Sequence, residues 1–346
     1  MALEPIIKAE ATPKMRRFRF LKSFFIVGCF MALNASTSDA ALQSNSLARF
    51  TYKEYHMGVD AQITVFAKTS EKAVDACAAA YKRIAELDTI MSDYRKDSEL
   101  NQLCAKAGGP AVKVSPDLFK VLERANEVSK LSKGGFDVSV GPLVVLWRSA
   151  RKMKVLPLPD EIESAKKLVG YRKIMLNKAN RTVKLLTPGM KLDLGGIAKG
   201  YANDEAQKVL KRHGISRAMV VMGGDILVTG APPGTKGWKI RVPNASKDQT
   251  PADLFFANRA ISTSGDTEQY VVIRGVQYSH VVDPRTGWAR RDRVQTTVVT
   301  TDGLTSDPLS KAISMTDAAG KKALLKRFKL YSVYVKTLKG TQKDPS

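Results

Sequence analysis

The longest regular apolar spacing runs through residues 70–91, where Ala73, Val74, Cys77, Tyr81, Ile84 and Leu87 recur at the interval of an amphipathic helix. A second helix is predicted from Ser115, a natural N-cap, with Pro116 at the first helical position. Leu118, Val121, Leu122, Ala125 and Val128 follow along one face, and "GGF" (134–136) stops it. A third is predicted where a short strand ends at Gly195-Gly196; it has Lys199 and Gly200 in its first turn and ends at Gly214. Alternation at Ile63 and Val65 predicts one strand within 51–68. Residues 173–186 read as a hairpin, and strands are expected at 218–222, 226–229, 238–242, 294–301 and 330–337. Another hairpin turns at Arg274-Gly275, and residues 304–327 carry a helical pattern. Residues 147–170 mix proline, lysine and short helical stretches without a strong period, as a surface excursion would. Strands and helices interleave without regular βαβ repeats, so the expected fold class is α+β, one mixed α/β domain over 41–346.

The first forty residues depart from this pattern. Arg16, Arg17, Arg19 and Lys22 precede the ten-residue apolar run 24–33, and Ser38-Asp39-Ala40 offers a small-x-small cleavage site. Ten residues are too few to span a bilayer, so a cleaved export signal within 1–40 and a periplasmic location are expected. "IVGC" (26–29) resembles a lipobox that would anchor the chain at Cys29, a less favoured alternative that would associate the N-terminus with the membrane. The whole chain of 346 residues has 56 basic and 33 acidic residues, a net charge of +23. Residues 1–40 contribute six of the basic and three of the acidic residues; without them the net charge is +20. Such a charge favours acidic or phosphate-rich partners. The lysines and arginines are scattered and aromatics make up 7%, so no nucleic-acid partner is expected. Cys77 and Cys104, at no metal or redox spacing, are open to pairing or to burial as free thiols.

Rossmann, P-loop, α/β-hydrolase and zinc signatures are all missing. The remaining chemistry lies in glycine-rich junctions. "KLDLGGIAKGYAND" (191–204) puts backbone N–H groups and the Lys199 ammonium at a helix start, a setting suited to phosphate. "VVMGGDILVTG" (220–230) and "AISTSGDTEQY" (260–270) each end a predicted strand in small residues and an aspartate. Ser262, Thr263, Ser264 and Gly265 are candidates to cradle phosphate oxygens, with Asp225 or Asp266 on a ribose hydroxyl or metal. "YSHVVDPRTG" (278–287) sets His280 between Tyr278 and Val282 on one strand face, ahead of an Asp-Pro turn. Alone it reads as a strand end with a satisfied histidine. Together with the three junctions, it points to a nucleotide site.

In this order and spacing, "LDLGGIAKGYA", "MGGDI", "ISTSGD" and "SHVVDPRTG" resemble the ApbE-type FAD:protein FMN transferases. "MSDYRKDSEL" (91–100) and "GGFDVSVGPLVVLW" (134–147) resemble two further blocks of that family. The resemblance covers about residues 50–335. It implies an exported enzyme that binds FAD, splits its pyrophosphate with Mg²⁺ and attaches FMN to a threonine or serine of a redox-complex subunit, releasing AMP. By the same resemblance, Met57, Tyr94, Ser98, Glu99, Cys104 and Asp137 would contact the cofactor. So would Gly195, Gly196, Lys199, Gly224, Asp225, Ser264, Gly265, Asp266 and Arg285, with His280 and Asp283 catalytic. The Ala198 carbonyl and Asp307 would hold the metal. The family's threonine ligand is replaced by Lys311, which an ion cannot use as a ligand, and Cys104 replaces an asparagine. These departures leave an alternative: an FAD-binding protein or FAD pyrophosphatase with a weakened metal site.

Overall fold

The computed structural model describes residues 46–243, 250–265, 270–292 and 294–337. The predicted export signal, the Cys29 lipobox and Asp266 lie outside these residues. The chain opens with β1 (Ala48–His56) and β2 (Val59–Ala67), a hairpin rather than one strand. Its two-residue turn needs positive φ at both positions, and Met57 and Gly58 adopt 50° and 78°. Only β2 buries an alternating face, which is why apolar periodicity reveals it and not β1.

Next come α1 (Ser70–Met91), α2 (Glu99–Ala105), β3 (Val112–Lys113) and α3 (Pro116–Leu131). Thr69 and Ser115 cap α1 and α3 by accepting backbone N–H bonds from Lys72 and Leu118. Val74 falls off the buried face of α1, at 47% exposure. The stretch expected to wander over the surface is instead two packed helices, α4 (Gly141–Met153) and α5 (Pro159–Lys166), with Trp147 fully buried. The hairpin β4 (Ile174–Asn177) and β5 (Thr182–Leu185) follows, then α6 (Ala198–Arg212). Residues 191–194 ahead of the Gly195-Gly196 junction are irregular rather than a strand.

The remaining elements are β6 (Ala218–Met222), β7 (Asp225–Thr229), β8 (Trp238–Val242), β9 (Ala252–Phe256), β10 (Arg259–Ser264), β11 (Tyr270–Ile273), β12 (Val276–Ser279) and β13 (Val294–Thr300). α7 (Gly303–Ala312), α8 (Ala318–Arg327) and β14 (Ser332–Thr337) complete the chain. The expected 304–327 helix is thus two helices, separated by a 3-10 turn over Ile313–Met315 and restarted at the Asp317 cap. β12 stops at Ser279, so His280 follows the strand rather than lying in it, and Val282 makes only an isolated bridge to Ala289.

Seven strands form one antiparallel sheet in the order β1-β2-β6-β7-β10-β13-β14. Alternation sorts its two faces. Ile63, Val65, Val220 and Val298 join the core shared with α1, α3, α6 and α7. Val228, Ile261 and Val299 face the opposite way, under the β8–β9 hairpin. A third cluster packs the β11–β12 hairpin against α4 and α5 around Trp147. This is the mixed α+β architecture expected. Among the described residues no helix is long and apolar enough to cross a membrane.

Candidate active site

At one end of the sheet the helix-covered face turns from apolar to charged. Asp225, the first residue of β7, is paired in register with Ser262 of β10, and both are buried. α6 and α7 cross above them at Gly200 and Gly303. A Cβ on Gly200 would lie 2.1 Å from the Gly303 carbonyl oxygen, so only glycine permits this approach. The crossing delivers Lys199 from α6, and Ser306, Asp307 and Lys311 from α7.

Asp307 is fully buried. One of its oxygens accepts the Gly200 N–H at 3.0 Å and the other accepts from the Lys311 ammonium. Lys199 Nζ donates to the Gly195 carbonyl at 2.6 Å and lies 3.5 Å from Asp225 Oδ2. Asp225 Oδ1 is buried without a hydrogen-bond partner. Burial raises the Asp307 carboxyl, but Lys311 and Lys199 outweigh it and hold the group below the usual carboxylate range. Burial and the Asp307 charge push Asp225 up. Burial would lower Lys199, yet Asp307 and Asp225 keep its ammonium at about 12. Buried ion pairs often contribute less to stability than apolar residues of the same volume would, which makes the cluster a candidate functional site.

A second network flanks the Gly195-Gly196 loop. Asp193 Oδ1 accepts the Gly195 N–H at 2.7 Å, and its other oxygen pairs with Arg148 at 3.3 Å. Arg148 also binds Asp93 and lies over the ring of Tyr94, 4.1 Å from its centroid. Tyr94 is 74% exposed, an open aromatic face beside the charged cluster's loop. Asp193, Arg148 and Asp93 were missed in sequence. The one local signal was Asp193 placed two residues before a glycine, the spacing of an Asx turn.

His280 sits at intermediate burial in a loop secured from several sides. Asp283 N–H bonds the Trp288 carbonyl, Gly287 N–H bonds the Asp283 carbonyl, and the Trp147 indole donates to the Gly287 carbonyl at 2.9 Å. Arg290 reaches Ser314 Oγ at 2.8 Å, and Ser314 Oγ in turn donates to the Lys311 carbonyl at 2.8 Å, tying this loop to the end of α7. The Asp283 carboxylate is held by both side-chain arms of Arg285, at 2.9 and 2.7 Å.

Other predicted contacts have structural partners. Ser98 caps α2, Glu99 accepts the Ser115 N–H at 2.5 Å, and Asp137 accepts from Ser139 and from the Tyr171 N–H. Cys104 Sγ accepts the Leu192 N–H at 3.3 Å, beneath the loop. Cys104 and Cys77 are both free thiols, and burial pushes Cys77 up to about 12. Ser262 Oγ bonds Ser306 Oγ at 2.8 Å and Thr263 Oγ1 bonds Thr297 Oγ1 at 2.9 Å, and Ser264 and Gly265 lie beyond them at the strand end. Met57 and Gly224 lie on two sheet-end turns, those of β1–β2 and β6–β7, with Gly224 against the Thr263 carbonyl.

A sequence profile of the ApbE family matches residues 57–335. The chain belongs to the ApbE family. It is 32% identical over 235 residues to the FAD:protein FMN transferase of Vibrio cholerae, covering 66% of this chain and 70% of that one. Its identity to the FAD:protein FMN transferase of Haemophilus influenzae is 30% over 300 residues, 83% and 85% of the two chains. The solved flavin transferase ApbE from Vibrio cholerae superposes with a TM-score of 0.73 at 28% identity, over 84% of this chain and 97% of that one. The ApbE protein of Thermotoga maritima superposes with a TM-score of 0.71 at 27% identity, over the same fractions.

This ApbE-family chain does not offer Mg²⁺ the expected seat. Mg²⁺ requires oxygen ligands in near-octahedral geometry, whereas both Asp307 oxygens are taken, one by an ammonium. Among the described residues no three Asp, Glu, His or Cys side chains converge to hold a metal ion. The one unpartnered carboxylate oxygen of the cluster is Asp225 Oδ1, and the other oxygen of that carboxylate pairs with Lys199.

Proposed function

We propose that this chain is an FAD:protein FMN transferase acting on an exported flavoprotein subunit. The observation that carries this reading is the buried Lys199–Asp225–Asp307–Lys311 cluster, set under the Gly195-Gly196 loop at the start of α6. Cations and free backbone N–H groups at a glycine-rich helix start suit the pyrophosphate of a dinucleotide. The exposed Tyr94 ring, backed by Arg148, suits stacking of a flavin or adenine plane.

In the reaction, a threonine or serine hydroxyl of the acceptor attacks the FMN phosphorus. A new O–P bond forms as the P–O bond to the AMP phosphate breaks, and AMP leaves with the bridging oxygen. His280 accepts the hydroxyl proton. Asp283 positions the loop through Arg285, and Lys199 and Lys311 offset the charge that develops on the phosphate oxygens. The export signal within 1–40 and delivery to the periplasm belong to the same proposal, and N-terminal sequencing of the secreted form tests them.

Purified protein is mixed with FAD and an acceptor domain, with and without Mg²⁺. The expected products are flavinylated acceptor and AMP in equal amounts. If neither product forms in either condition, the transferase reading fails. AMP without flavinylated acceptor would favour the pyrophosphatase alternative.

A further inference from the structure

The disagreement between the cluster and a divalent ion has a positive counterpart. Lys311 Nζ is fixed on the buried Asp307 carboxylate, with the Asp307 carbonyl at 3.2 Å and Ser310 Oγ at 3.4 Å completing its surroundings. Its side chain keeps 17% exposure, so it is not sealed into the core as Asp307 is. The stem runs beneath the phosphate-binding loop: a Cβ on Gly196 would lie 3.3 Å from Lys311 Cδ and 3.5 Å from Cε. The ammonium is therefore delivered to the loop proposed to receive the pyrophosphate. The 3.2 and 3.4 Å contacts are long for an ammonium and can yield to a phosphate oxygen, whereas the carboxylate bond anchors the charge.

We infer that Lys311 is the resident cation of this site, fixing on Asp307 the positive charge that faces the dinucleotide phosphates, so that FAD binding requires no divalent ion. The inference rests on the proposed flavin reading and deepens it. A lysine supplies one charge where Mg²⁺ supplies two, and Lys199, one carboxylate away, supplies the second. The lysine is covalently part of the chain, so the charge is present at any metal concentration. A divalent ion could reach Asp307 Oδ1 only by displacing an ammonium from a fully buried carboxylate.

Two measurements on the full chain test this, beginning with the wild type. FAD affinity, read by quenching of flavin fluorescence, is expected to agree within twofold in EDTA and in millimolar Mg²⁺. Mg²⁺ alone is expected to leave the unfolding temperature of the flavin-free protein unchanged. A tenfold gain in FAD affinity with Mg²⁺, or a Mg²⁺-dependent rise in unfolding temperature of the wild type, would overturn the proposal. Lys311→Thr frees the Asp307 oxygen and is expected to lose at least tenfold in FAD affinity in EDTA, regain it with Mg²⁺, and show a Mg²⁺-dependent unfolding temperature. Lys311→Met is expected to lose affinity in both conditions. FAD affinity unchanged in Lys311→Met would equally overturn it. If the variants fail to fold, the wild-type comparison still decides. Absence of FAD binding in every condition would instead refute the flavin reading, and the Mg²⁺ response of the flavin-free wild type would judge the metal claim separately.

Discussion

Lys199 has two buried aspartates for neighbours and a backbone carbonyl for its tightest bond; Asp307 has Lys311 as a second cation, whereas Asp225 has Lys199 as its only direct ion-pair partner among the described residues. Replacing it with methionine keeps the stem but strands Asp225 and weakens the balance around Asp307. Breaking a buried ion pair on one side costs about 3 to 5 kcal/mol, and chemical denaturation of Lys199→Met is expected to show a loss of that order. Loss of FAD affinity should accompany it; a variant as stable as wild type would show that the Asp225 pair is not maintained in solution. At the same scale, His280→Ala is expected to remove FMN transfer while leaving the unfolding temperature and FAD affinity near wild type. A collapse of the fold would return His280 to a packing role. Asp225 and Lys199 were legible in sequence because each sits in a local glycine-rich junction, and Asp307 only through the family resemblance. Their partnership with Lys311 was not, since it depends on where α6 and α7 cross. Arg148 was illegible for the same reason: its partners Asp93 and Asp193 lie 55 and 45 residues away.

The crossing itself is set by two glycines and a cap. In Gly200→Ala the methyl group meets the Gly303 carbonyl, and the backbone, unlike a side-chain tip, cannot step aside. Overpacking typically costs 1–3 kcal/mol, and the expected loss here is at least about 3 kcal/mol by denaturant unfolding, with the cluster disrupted. α7 is started by Asp204 of α6, whose carboxylate accepts the N–H groups of Gly303 and Leu304 at 2.6 and 2.8 Å. Burial nevertheless raises this carboxyl to about 7, and nearby Asp302 adds to the rise while Lys208 opposes it. A folded-state value above the unfolded one means stability that is fully present below about 4 and lost as pH rises through about 7. The stability of wild type relative to Asp204→Asn, which does not titrate, should therefore fall between pH 4 and 8, by an amount on the order of 3 kcal/mol. A pH-independent difference would rule out this titration. Helices such as α1 and α3 were legible because their caps and apolar stripes are written locally. β1 was not, because it buries no continuous face, and α4 was masked by the lysines and arginines that share its turns with Trp147.

Across the whole molecule, the proposed site is assembled from segments that the chain order keeps far apart, and Trp147 is the long-range tie that fixes one of them. Its ring fills the third core cluster, 5.4 Å from Tyr278 and 5.9 Å from Trp288, while its N–H crosses 140 residues of sequence to the Gly287 carbonyl. Gly287 has a φ of 78° and packs against Ile162, so the loop from His280 to Gly287 is clamped between α4, α5 and its own hairpin. No periodicity announces such a clamp, which is why residues 147–170 read as a surface excursion in sequence. Trp147→Phe retains an aromatic ring but removes the donor and part of the buried ring volume. A buried carbonyl left unsatisfied costs about 1–3 kcal/mol and the void left by the smaller ring adds to it, so a fall in stability of at least that size is expected. The reaction separates this from a merely structural role. Because the Gly195-Gly196 loop and the lysine cluster do not depend on that bond, FAD affinity should stay within twofold, while the rate of FMN transfer falls at least tenfold as His280 loses its fixed position. Equal losses in affinity and rate would place Trp147 in general packing, and unchanged kinetics would release the His280 loop from its dependence on α4.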